Sequence, residues 1–78
     1  MNSEKRKILE EHLAQAERHV AEGAARLQHE RDIIEDRRRD GHDIQLSMEL
    51  LAEMETAQRL HVEGRDRIRQ ELREATAS

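Results

Sequence analysis

The sequence predicts an all-α protein, an antiparallel two-helix hairpin with coiled-coil-like spacing, and three observations carry that expectation. Ala, Glu, Lys, Leu and Arg supply 44 of the 78 residues, the kind of share that marks long helices. Proline is absent, so no residue removes an amide donor from a helix interior. Apolar residues recur at alternating steps of three and four along two stretches, as they do on a helix face. A single turn-forming segment, Asp40-Gly41-His42-Asp43, separates the two stretches.

The first helix is expected over about residues 3–40, with Ser3 as its cap. Its stripe reads Leu9, Leu13, Ala16, Val20, Gly23, Leu27, Glu30 and Ile34. The turn follows at about 41–43. Gly41 can take the left-handed conformation that ends a helix, and the Asp43 carboxylate can accept from the first free amides of the next one. The second helix is expected over about 44–75, with Ser47, Leu50, Met54, Ala57, His61, Gly64, Ile68, Glu71 and Ala75 along its seam. Residues 1–78 thus read as one helical-hairpin domain.

A tight connection makes the two helices antiparallel neighbours. Folding the chain about residue 42 sets Val20 against Gly64, Gly23 against His61, Leu27 against Ala57, Ile34 against Leu50 and Ala16 against Ile68. Large side chains then face small ones, and both mid-helix glycines become seats for a side chain of the other helix. Charge follows the same alignment. Arg37, Arg38 and Arg39 close the first helix, where cations suit the negative end of its dipole. Asp43, Glu49, Glu53 and Glu55 open the second, and Arg31 is expected opposite Glu53.

Composition narrows the function classes. Net charge is −4 with 41% charged residues, and Phe, Tyr, Trp and Cys are all absent. Disulfides and Cys-ligated zinc are excluded. No apolar run reaches the length of a membrane span or signal-peptide core, so a cytoplasmic protein without membrane contact is expected. Nucleic-acid binding through Arg37, Arg38 and Arg39 is a possible alternative but an unfavoured one. Glu35, Asp36 and Asp40 bracket the run, and no aromatic ring is present to stack on a base. Catalysis has little support: Ser3, Ser47 and Ser78 lack triad context, and no Gly-rich phosphate loop occurs. No cofactor is expected.

Five histidines, His12, His19, His29, His42 and His61, are many for so short a chain. His19 falls across the hairpin from His61, with Glu22 and Glu63 nearby, which makes these two the weak candidates for a metal- or pH-responsive bundle. The Glu-x-x-His pair of bundle metal sites is missing, since no Glu stands three residues before any histidine. A buried His61 at the seam would instead specify register or sense pH.

Association remains. Leu, Ile and Val number only 15, thin for a self-sufficient core. Around the turn the apolar stripe widens to Ile33, Ile34, Ile44, Leu46, Leu50, Leu51 and Met54, with Met48 beside them, more than a two-helix seam can cover. Ile8, Leu9, Leu13, Ile68 and Leu72 form a smaller group at the open end. These residues predict a non-enzymatic interaction protein, a homodimer closing into a four-helix bundle, with regulation of a larger protein partner as a further expectation.

The stretch Arg39-Asp40-Gly41-His42-Asp43, preceded by His12-Leu13-Ala14-Gln15-Ala16-Glu17-Arg18-His19-Val20-Ala21-Glu22-Gly23, resembles a group of short, functionally uncharacterised bacterial proteins, chiefly alphaproteobacterial in type. The resemblance extends over most of the chain, including Leu50-Leu51 and the segment from His61 to Ile68. It implies a helical hairpin of cytosolic bacterial origin and carries over no activity, cofactor or catalytic residue.

Overall fold

A computed structural model describes residues 3–77. Helix α1 spans Ser3–Arg39 and helix α2 spans Gln45–Ala77, and the two lie side by side. The backbone forms a rod of 58 × 14 × 14 Å. Its radius of gyration is 17.7 Å, against about 11.5 Å for a compact domain of this length.

The turn forms as its residues dictate. Gly41 adopts φ +80°, a conformation that places any Cβ too close to the following carbonyl. Its amide donates to the Arg38 carbonyl at 3.1 Å, and the His42 amide donates to the Arg37 carbonyl at 2.9 Å. This paired arrangement satisfies carbonyls that the end of α1 would otherwise leave free. The Asp43 carboxylate accepts from the Gln45 amide at 3.0 Å, capping α2. Ser3, expected to cap α1, is already helical.

Every stripe position of α1 lies at least half-buried, and Leu9, Leu27 and Ile34 are its buried residues, at 8%, 7% and 4% exposure. Helix α2 departs from the expected seam. Leu50, Ala57, His61 and Glu71 are exposed, while Leu51, Gln58, Val62 and Leu72, each one position further along, are half-buried beside Ser47, Met54 and Ile68. One residue is a 100° turn of the helix, so α2 presents a different edge of its broad apolar face to α1.

Gln58 shows why. Its side chain lies on Gly23, where a Cβ would overlap the amide group. The Gln58 Nε2 donates across the seam to the Val20 carbonyl at 2.8 Å. Gly23 is therefore a seat, as expected, but for Gln58 and not for His61. Gly64, the other expected seat, receives nothing: a Cβ there would meet no atom within 4 Å. Arg31 pairs with Glu55 at 3.7 Å instead of Glu53, a half-exposed contact worth under about 1 kcal/mol.

Gln58 Oε1 is buried without a hydrogen-bond partner, so the seat combines a close fit with a polar cost of about 1–3 kcal/mol. Its tightness is testable. Gly23→Ala is expected to gain nothing in stability, because Gln58 must leave its seat. In a Gln58→Ala background the same change is expected to stabilise by about 1 kcal/mol, the helix propensity difference alone. A urea double-mutant cycle followed by circular dichroism measures the coupling; additive effects would mean that Gln58 does not occupy the seat. In the turn, Gly41→Ala is expected to destabilise by about 1–2 kcal/mol in the same assay.

Candidate interaction surface

The residues expected at an interface separate into three groups. Ile34 is buried between the helices and unavailable to a partner. Leu51 and Met54 are half-buried on the α1-facing side of α2, and Ile33 and Ile44 are also half-buried near the turn. Leu46 and Leu50 are open to solvent, at 78% and 47% exposure.

The rotation of α2 adds a residue that the sequence pattern did not single out. Leu60 is 63% exposed, because the structural seam passes through Gln58 and Val62 instead. Leu46, Leu50, Ala57, Leu60 and Gly64 follow steps of four, seven, three and four, with the exposed Glu53 filling the position between Leu50 and Ala57, so they share one face of α2. This second stripe runs alongside the seam, starting at the turn and passing the middle of the rod. Met48 and Ile8 are exposed too, but neither falls on it.

On the same side of the hairpin an open groove of about 440 Å³ runs between the helices, with His12 and His19 of α1 facing Leu60, His61 and Gly64 of α2. The rings of His19 and His61 lie 6.0 Å apart between centroids and are tilted by 45°. The pair thus meets as the sequence suggests, but both rings are exposed, so His61 is not a buried seam residue. Among the described residues, no three His, Asp or Glu side chains converge into a group that could hold a metal ion.

Arg37, Arg38 and Arg39 are exposed on the last turn of α1. Arg39 pairs with Asp36 of its own helix, so part of the run's charge is answered locally. No described helix is long and apolar enough to cross a membrane.

No protein-family model, curated protein or solved structure matches the chain.

Burial makes opposite claims for two residues that the sequence pattern treats alike. Ile34→Ala is expected to cost about 3 kcal/mol, since it empties one of the three best-buried sites. Leu50→Ala is expected to change the folding of a single hairpin by less than about 0.5 kcal/mol, as at ordinary surface sites. Denaturation across a concentration series separates them: the Ile34 loss persists at every concentration, whereas any Leu50 loss grows as chains associate.

Proposed function

We propose that this chain is a small non-enzymatic interaction protein that works by self-association, two hairpins closing into a four-helix bundle. The observation that carries the reading is an excess of surface. The hairpin exposes 5982 Å², whereas a compact monomer of 9.2 kDa exposes about 4,900 Å². The difference, about 1,000 Å² per hairpin, would give a dimer interface of about 2,000 Å² in total, within the range of stable homodimers.

The small core supports the same conclusion. Burying a Leu or Ile contributes about 1.5–3 kcal/mol, and only Leu9, Leu27 and Ile34 are buried among the described residues. Ordering each residue costs about 1–2 kcal/mol of backbone entropy. Covering Leu46, Leu50 and Leu60 in an assembly adds burial without ordering another long segment of chain.

Sedimentation equilibrium at micromolar concentration is expected to give twice the chain mass, with a melting temperature that rises with concentration as dimer linkage requires. A well-folded monomer would overturn the proposal.

The His19–His61 contact favours a second reading, a bundle responsive to metal or pH. Zinc is then expected to raise the melting temperature, and His19→Ala to abolish the rise. No zinc effect on the unsubstituted chain would remove the metal form of this reading.

A further inference from the structure

Helix α2 has two apolar edges, and only one of them is covered. The seam edge, through Leu51 and Gln58, meets α1; the second exposes Leu46, Leu50, Ala57 and Leu60 to solvent and ends at the half-buried Gly64. Each seam residue here is one position beyond its second-stripe neighbour, so the two edges stand about 100° apart around the helix axis. A square four-helix bundle asks this of every helix, because each one touches two neighbours at roughly a right angle. Among the described residues, α1 is the only neighbour that α2 has.

Charge selects the occupant and its direction. From Gln45 to Gln58, α2 carries Glu49, Glu53 and Glu55 and no Lys or Arg. From Arg59 onward it carries Arg59, Arg65, Arg67, Arg69 and Arg73 among Glu63, Asp66, Glu71 and Glu74. A second α2 laid parallel would set acidic half on acidic half. Laid antiparallel, it sets the acidic half of each copy against the half holding all five arginines, which steers pairing and disfavours the wrong alignment. Shape agrees. A Cβ at Gly64 would meet no atom within 4 Å, so this half-buried glycine leaves room at the rim of the inter-helix groove; antiparallel pairing centred on Ala57 sets Leu50 of one copy over Gly64 of the other, while the two Ala57 residues permit a close approach at the axis.

We propose that the second stripe of α2 is the docking surface for the same stripe of a second copy, antiparallel, with the two-fold axis passing close to Ala57. This rests on the self-association proposed above and specifies its geometry. Leu46 of one copy then reaches the Ile68 region of the other, and the two α1 helices complete the bundle on the same side as the His19–His61 groove.

The chain contains no cysteine, so single introduced cysteines report pairing without interference. Under mild oxidation Ala57→Cys is expected to form a covalent dimer, because the axis brings the two copies of that position within disulfide reach. Leu46→Cys is expected not to form one, since its two copies lie about 33 Å apart along the pair. A mixture of Leu50→Cys and Gly64→Cys chains is expected to give the mixed dimer. Gly64→Gln, whose Cβ would meet no atom within 4 Å, is expected to keep the helical spectrum and to weaken dimerisation about tenfold.

Self-crosslinking of Leu46→Cys would show parallel pairing and overturn the proposal. A dimer in sedimentation without an Ala57→Cys crosslink, or with an unchanged dissociation constant in Gly64→Gln, would show that another face is used, and self-association would stand. A folded monomer would remove both.

Discussion

The seating of Gln58 on Gly23 is the contact around which the hairpin is arranged. A glycine within α1 lets the α2 side chain approach the backbone, and the hydrogen bond from Gln58 to the Val20 carbonyl fixes where along α1 that approach occurs. Because α2 is a rigid helix, placing Gln58 in the seam places every other residue of α2. Leu51, Met54, Val62 and Ile68 turn inward, and Leu50, Ala57, Leu60 and His61 turn out. A polar residue at this position stabilises little by itself, since its oxygen is left without a partner. It can nevertheless specify rotation and register, as a single polar layer does in a coiled-coil seam.

A two-helix rod has an unfavourable ratio of surface to interior. Each helix can bury only one edge against the other, and the small residues Ala16 and Gly23 in α1 keep the seam narrow. Large aromatic rings have no place in such a seam, which makes their absence from the sequence consistent with the packing. The same narrowness leaves a rod whose backbone is 14 Å across, the width of two adjacent helices and no more. Further burial has to come from outside the hairpin. In this respect the exposed leucines of α2 and the shortage of core residues have a common origin.

The histidine contact is a consequence of the same rotation. Turning α2 by one residue carries His61 from the middle of the seam to its rim, where it meets His19 in an open groove. Solvated imidazoles exert weaker mutual effects than buried ones, because water screens them. The arginine run at the end of α1 belongs to local electrostatics in a similar way. It lies at the negative end of the helix dipole, and one of its members pairs with the preceding acidic turn.

The sequence by itself determined the two helices, the turn between them and the inward edge of α1. Missing prolines, capping chemistry at Gly41 and Asp43, and a single narrow apolar stripe leave few alternatives at those places, and each acts over only a few residues. It also brought His19 near His61, since that follows from antiparallel order. The inward edge of α2 was not legible in the same way. Leu50 and Leu51, Ala57 and Gln58, and His61 and Val62 are adjacent pairs on a face wide enough for two seams, so hydrophobic spacing admits either rotation. Only the tertiary structure chose between them, because the choice depends on a fit between Gln58 and a gap in the other helix, 35 positions away in sequence, that no periodicity within α2 encodes.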